Sequence, residues 1–172
     1  MSSILTTLGL RASSPVFPPP VLTHYYITFH FIFAYGVLSS RTWKQYYGID
    51  HNVSPREDLT KYGQRAVESG KITQAQLNQM KRVEAASANS VEHFTLFVGS
   101  MIWAHVAGLK PEVINAAGLW YTLARVAYAA VYIFVDRVRL SQLRGILWWA
   151  SNVICLRLFW QGGRALNAGR VA

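Results

Sequence analysis

The feature that most constrains this chain is a set of four apolar stretches, each close to the roughly 20 residues that cross a bilayer as an α-helix. They cover about residues 21–40, 86–107, 113–135 and 144–165. Hydrophobic residues make up 52% of the chain and charged residues 15%, below the roughly 25% charged residues of a typical soluble domain. The pattern predicts an all-α fold, a four-helix transmembrane bundle; a soluble four-helix bundle is the alternative.

Local signals extend and bound these helices. Thr73 followed by Gln76 is a capping box, so the second helix should begin before its apolar part. The "GLKP" stretch at 108–111 predicts a turn between the second and third helices, and Ser54-Pro55 predicts a short helix that ends near Gly70. We expect a flexible tail over residues 1–20 and one membrane domain over 21–172. Its helices should lie at about 21–40, 74–107, 112–136 and 142–165.

The basic residues predict the orientation of the chain in the membrane. Eight of the 17 lysines and arginines lie in the first connection, about residues 41–82, and Arg137, Arg139 and Arg144 lie in or beside the third. Basic loops face the cytosol, so the long first connection should be cytosolic and both termini should lie on the opposite side. We expect a multi-pass protein of the endoplasmic reticulum, or of the inner membrane in a bacterium. The net charge of +9 belongs to these flanks, so a nucleic-acid partner is not expected.

Polar residues recur at helical spacing inside the apolar stretches. Each predicted helix carries them on one face: Arg82, Asn89 and Glu92 on the second; Tyr121, Arg125, Tyr128, Tyr132 and Asp136 on the third; Arg144, Trp148, Ser151 and Cys155 on the fourth. Ionisable groups at membrane depth are costly and usually functional. These faces are therefore the candidate site.

The depths of two of these charges suggest an ion pair. Glu92 lies about 15 Å from Arg82 along its helix, and Arg125 lies about 18 Å from Arg137 along the next. A Glu92–Arg125 pair would reduce the cost of burying both charges. Further hydrogen-bond donors continue from this pair toward the cytosolic face. This arrangement favours an anionic, peptide-like ligand with carboxylates. The alternative is that they serve only helix association.

Two stretches, "KRVEAASANSVEHF" at 81–94 and "LARVAYAAVYIFVDRVRLSQLRGILWW" at 123–149, resemble the MAPEG family, the membrane-associated proteins of eicosanoid and glutathione metabolism. The resemblance is to microsomal glutathione transferase-like members and covers the chain from about Arg41 to the end. It implies a four-helix transmembrane fold assembled as a homotrimer. It also implies that glutathione binds between subunits and that a lipophilic substrate enters from the membrane lipid.

The resemblance assigns roles residue by residue. It implies glutathione-binding positions at Arg41, Arg82, Asn89, Glu92, His93, Arg125, Tyr128, Tyr132 and Arg137. Arg144, with Tyr132, falls at the catalytic position, where a guanidinium would favour the thiolate form of the bound thiol. The spacer before Arg144 is longer than the family pattern, so Arg137 and Arg139 are alternatives. No metal site is expected, because the histidines lack partners at ligand spacing, and Cys155 is interpreted as a packing residue.

Three functions follow from the pattern. The first is a glutathione-dependent transferase, peroxidase or isomerase that acts on a lipophilic electrophile. The second is a glutathione-independent enzyme on the same scaffold, such as a cyclase or isomerase, because Ala85 stands where the family has an arginine and Ala88 replaces a residue that is basic in some members. The third is a non-catalytic protein that presents lipid or stabilises an enzyme, because a fold does not settle a function.

Overall fold

The computed structural model describes residues 3–14 and 17–169, and every regular element within them is helical. Four long helical bodies form where the sequence predicts them. They are α2 (Thr23–Ile32) with its π-helical continuation (Phe33–Val37), α5 (Gln74–Val106), α6 (Pro111–Phe134) and α8 (Leu143–Ala168). The shorter elements are α1 (Ile4–Thr7), α3 (Arg41–Tyr46), a π-helical turn (Asp58–Tyr62), α4 (Gly63–Glu68) and α7 (Val138–Ser141).

The local start and stop signals are confirmed at both ends of α5. The hydroxyl of Thr73 accepts from the backbone N–H of Gln76 at 3.2 Å, and the Gln76 side chain accepts from the Thr73 N–H at 2.7 Å. Gly108 has φ of +68°, a left-handed conformation that costs glycine little. Pro111 then opens α6, where its missing N–H is not needed.

The helix predicted to begin at Ser54-Pro55 begins instead at Asp58. The Ser54 carbonyl accepts from the Glu57 N–H at 3.0 Å, which closes a turn rather than a helix. A tertiary contact explains the shift, because the Asp58 carboxylate is drawn into the interior of the connection. The predicted end is confirmed: α4 stops at Glu68 and Gly70 follows with φ of +73°.

A buried carboxylate organises the first connection. Asp58 has no exposed side-chain surface, and Lys44 Nζ lies 3.3 Å from its Oδ2 while donating to the Pro55 carbonyl at 2.9 Å. The His51 N–H donates to Asp58 Oδ1 at 3.1 Å, and His51 Nδ1 lies 3.0 Å from the same oxygen. We call Lys44, His51 and Asp58 the Asp58 cluster. The connection also has its own apolar core, which reaches α5: Ile49, Leu59, Ala66, Ile72, Leu77 and Met80.

The long helices pack on one another through an aromatic core. α5, α6 and α8 are in mutual contact, and α2 packs against α5 and α6. The rings of Phe97 and Tyr121 stack at 3.9 Å, and Cys155 is buried beside them. Trp103 Nε1 donates to the Phe159 carbonyl at 3.0 Å, where α5 approaches α8 closely over Gly162. Such close approach over small residues is typical of helices in membranes.

By length and composition, one of the described helices, Pro111–Phe134, could cross a membrane. Only 28% of its most apolar window is buried in the protomer, so part of this apolar surface is available to lipid or to another subunit. The expectation of four such helices is confirmed for this one only. α2 is ten residues long before its geometry changes, while basic and acidic residues lower the hydropathy of α5 and arginines lower that of α8.

The N-terminal residues, predicted as a flexible tail, lie against α6 in the part that is described. Buried Asn115 explains this, because its Nδ2 donates to the Thr7 carbonyl at 2.7 Å and to the Pro20 carbonyl at 2.8 Å. Its Oδ1 accepts from the Leu22 N–H at 2.9 Å. The Ser13 hydroxyl donates to the Glu112 carboxylate. Asn115 thus joins α1, the start of α2 and α6.

Gly118 sets the distance between α2 and α6, and its replacement should destabilise the fold. A Cβ at this position would lie 2.3 Å from the ring of Tyr26, so Gly118→Ala forces the two helices apart. We expect the free energy of unfolding to fall by about 1–3 kcal/mol, measured by thermal unfolding in detergent.

The matched control for this variant is Gly163→Ala in α8. A Cβ at Gly163 would meet nothing within 4 Å, and alanine is the better helix former, so Gly163→Ala should be neutral or stabilising. Equal melting temperatures of the two variants would contradict the role given to Gly118.

Candidate functional site

Four of the predicted site residues form a continuous row of cationic and aromatic side chains. The Arg125 guanidinium lies 4.5 Å from the centre of the Tyr128 ring, and the Tyr128 and Tyr132 rings are 5.5 Å apart. The Arg144 guanidinium lies 4.6 Å from the Tyr132 ring. We call Arg125, Tyr128, Tyr132 and Arg144 the Arg–Tyr ladder. It runs from the protomer interior to the junction between the end of α6 and the start of α8.

The helical spacing of α6 explains the inner half of the ladder. Arg125, Tyr128 and Tyr132 follow one another at three and four residues, so they share the face of α6 that packs on α5. Arg144 joins them from the first turn of α8, where its Nε donates to the Ser141 carbonyl at 3.1 Å. Guanidinium groups stack favourably on tyrosine rings, which fixes the orientation of both cations.

Arg125 is buried, and no carboxylate of the described residues pairs with it. Its side chain is 1% exposed, and Nη2 donates to the Asn89 carbonyl and to the Ser90 hydroxyl, each at 3.1 Å. Its Nη1 is buried and has no hydrogen-bond partner within the described residues. A buried donor without an acceptor is costly. Within the described residues, the inner end of the ladder therefore keeps one guanidinium donor unsatisfied.

The predicted Glu92–Arg125 ion pair is wrong within the protomer. Glu92 is exposed, and none of the ion pairs found among residues 3–14 and 17–169 includes it. The reason is rotational: Asn89 and Ser90 occupy the side of α5 that faces Arg125. Glu92 is therefore available to a group outside the protomer.

The remaining α5 candidates lie around the ladder rather than in it. Arg82 Nε donates to the Ile133 carbonyl at 3.1 Å, so this side chain satisfies a free carbonyl at the end of α6. Asn89 Nδ2 donates to the Ala85 carbonyl of its own helix at 2.9 Å. His93 is buried with Nδ1 2.9 Å from the Tyr121 hydroxyl, and its Nε2 has no partner in the described chain.

Two predicted positions lie away from the ladder in the protomer. Arg41 is exposed, donates to Asn52 Oδ1 at 2.7 Å and lies 3.6 Å from the Asp50 carboxylate, so it belongs to the first connection. Arg137 is exposed just before α7. No contact between either residue and the ladder is found within the described residues.

Sequence reasoning missed Ser90, whose hydroxyl accepts from buried Arg125. The available signal was a small polar residue in an apolar run, directly after the motif residue Asn89. Sequence reasoning also gave no indication of a groove of about 810 Å³ between α6 and α8, which none of the ladder residues line.

Comparison with known proteins identifies the family of the chain. A model of the MAPEG family matches residues 21–164, which includes all the predicted site residues. Neither the curated proteins nor the solved structures that were compared contain a match. The family match agrees with the helical fold and with the motifs on α5 and α6. Because the match covers most of its length, this chain belongs to the MAPEG family, the membrane-associated proteins of eicosanoid and glutathione metabolism.

Proposed function

We propose that this protein is an integral membrane enzyme that uses glutathione to transform a lipophilic electrophile by transfer, peroxide reduction or isomerisation. The observation that carries the proposal is the Arg–Tyr ladder, a row of two cations and two tyrosines with no carboxylate partner among the described residues. Such a row fits an anionic ligand better than it fits simple helix packing, since helix packing needs only small residues and isolated hydrogen bonds.

The ends of the ladder have different roles in this proposal. Arg125, buried and with Nη1 free, would bind a carboxylate of the tripeptide through a charge-assisted hydrogen bond. Arg144 is half-buried at the other end, where a reacting thiol could meet both water-soluble and membrane-soluble partners. The bound tripeptide supplies the thiol, so the chain need not supply a nucleophilic cysteine.

Arg144 would hold the negative charge of the thiolate. A thiol with the ordinary pKa of about 8.5 is mostly protonated at neutral pH, and a nearby guanidinium lowers that pKa. The contact with the Tyr132 ring limits the positions that the guanidinium can adopt. The Tyr132 hydroxyl would offer a further donor to the reacting atoms.

The other predicted site residues lie apart from the ladder, which supports an assembly with binding sites between subunits. Glu92 faces outward, while Arg41 and Arg137 do not contact the ladder of their own protomer. A homotrimer with four membrane-crossing helices per subunit would bring these residues to a neighbouring ladder. The basic first connection would face the cytosol, most naturally from the endoplasmic reticulum membrane.

Glutathione titration of the detergent-purified protein tests this proposal. We expect saturable binding at millimolar glutathione together with the ultraviolet absorbance of a thiolate at neutral pH. Size and mass measurements on the same sample establish that the assembly is intact. An intact assembly that shows neither binding nor thiolate absorbance would overturn the proposal.

A glutathione-independent enzyme is the second candidate, and one contact favours it. The Asn89 amide donates to the Ala85 carbonyl, so this motif residue is engaged with its own helix at the position where the family carries an arginine. Under this alternative, a lipophilic substrate would turn over without any thiol. Ala85→Arg would then create thiol binding where the wild-type protein has none.

A further inference from the structure

The groove between α6 and α8 has a polar end and an apolar end. Its apolar walls come from Leu123 and Ala124 on α6 and from Leu147 and Ala150 on α8. Toward the start of α6 and the end of α8 it is lined by three polar side chains, Glu112, Arg157 and Gln161. The groove is about 20 Å long by helical rise, which suits an extended hydrocarbon chain with a polar head.

Arg157 is an unpaired cation in an apolar helix. It lies in the interior of α8, is exposed toward the groove, and no ion pair or hydrogen bond of its side chain is found in the described chain. A guanidinium at membrane depth is costly unless it reaches an anion or the interface. Arginine binds phosphate oxygens in a two-pronged geometry. A phosphate group is therefore the expected ligand of Arg157 in the groove.

The two polar residues beyond Arg157 are acceptors. The Glu112 carboxylate accepts from the Ser13 hydroxyl, and a carboxylate can accept several hydrogen bonds. Gln161 Oε1 is buried and has no partner within the described residues. Both sit nearer than Arg157 to the helix ends that face the α5–α6 turn. A group with N–H donors and a positive charge would satisfy the Glu112 carboxylate, and it would also satisfy Gln161 Oε1 once this buried atom turns toward the groove.

The order of these features along the groove matches one class of lipid. From the apolar end outward, the groove presents hydrocarbon walls, then a guanidinium, then a carboxylate and an amide oxygen. A phospholipid with a primary ammonium head has its acyl chain, phosphate and ammonium in the same order. We propose that the groove between α6 and α8 binds a phosphatidylethanolamine-type lipid, with its phosphate on Arg157 and its ammonium on Glu112 and Gln161. This site is separate from the Arg–Tyr ladder and independent of glutathione.

Trp120 provides the probe, because it lines the groove and is exposed. The full-length protein is reconstituted in phosphatidylcholine vesicles that contain increasing amounts of phosphatidylethanolamine with brominated chains, which quench tryptophan on contact. The difference between wild type and Trp120→Phe isolates the signal of this residue. We expect brominated phosphatidylethanolamine to bind about tenfold more tightly than brominated phosphatidylcholine, the worth of a hydrogen bond to a charged group.

Matched variants separate the head-group contacts from general charge effects. Glu112→Gln should bring the preference for the ethanolamine head to within about twofold, because an amide replaces the charged acceptor. Arg157→Gln should weaken the binding of both lipids by about fivefold, which is the effect of one cation near a membrane surface. Arg164→Gln removes the same charge from the same helix outside this groove and should change neither.

Four results would overturn the proposal. Trp120 could remain unquenched by any lipid, as expected if a neighbouring subunit covers the groove. Wild-type protein could bind both lipids equally. Glu112→Gln could keep the preference, or Arg157→Gln and Arg164→Gln could have the same effect.

Discussion

Replacing Arg144 with glutamine is expected to lower glutathione-dependent turnover at saturating glutathione by about 100-fold, the cost of losing one preorganised group that stabilises developing charge. Glutamine keeps a hydrogen-bond donor but removes the positive charge that lies 4.6 Å from the Tyr132 ring. The thiolate absorbance should fall with the turnover rate, because both depend on the same charge. Binding of glutathione should weaken less, since Arg125 holds the other end of the ladder.

The control for this variant is Arg139→Gln, five residues earlier. Arg139 is exposed in the short helix α7, and within the described residues no ion pair, hydrogen bond or ring contact joins it to the ladder. It should keep turnover within about twofold of wild type, the usual scale for an exposed residue without partners. A loss in Arg139→Gln as large as that in Arg144→Gln would move the thiolate-stabilising role to the loop.

Replacing Asp58 with alanine should release the first connection. The change leaves the Lys44 ammonium, whose side chain is 5% exposed, without its counter-charge. It also removes the acceptor of the His51 N–H. Breaking a buried pair by deleting one partner costs about 3–5 kcal/mol. Amide hydrogen exchange over residues 49–72 should therefore accelerate by at least about 100-fold, while exchange in the middle of α6 changes little.

A double variant supplies the matched control. Asp58→Leu combined with Lys44→Met removes both charges and keeps the volume apolar, which is often neutral or stabilising for a buried pair. Exchange in the connection should then return most of the way to the wild-type rate. If Asp58→Ala alone leaves the exchange rates unchanged, the Asp58 cluster does not hold the connection together.

The parts of the fold that local chemistry decides could be predicted from the sequence. The capping box at Thr73 and the glycine–proline turn at 108–111 involve neighbours in the chain, so their residue types are sufficient. The start of the helical segment at Asp58 could not be predicted in this way. Ser54-Pro55 is a good local signal for a helix start, but the burial of Asp58 with Lys44 determines where the helix begins. The anchoring of the N-terminal residues by Asn115 depends on a contact across about a hundred residues.

In the candidate site, too, contacts set by local spacing could be predicted and contacts between helices could not. Helical spacing on one element places Arg125, Tyr128 and Tyr132 on one face, and they do form a row. The Glu92–Arg125 pair fails because equal depth along two helices says nothing about their rotation toward each other. The position of Arg82 at the Ile133 carbonyl could not be foreseen either, since that contact depends on where α6 ends.

The brevity of the first helical body bears on the kind of membrane that suits this protein. The ten residues of α2 and the five of its π-helical continuation rise about 22 Å, whereas an average hydrocarbon layer is about 30 Å thick. In the proposed four-helix topology, lipids beside this helix would have to compress, or the flanking aromatic rings would have to fill the gap. Either adjustment costs less in a thin bilayer, so we expect hydrophobic mismatch to sort the protein away from thick, sterol-rich membranes.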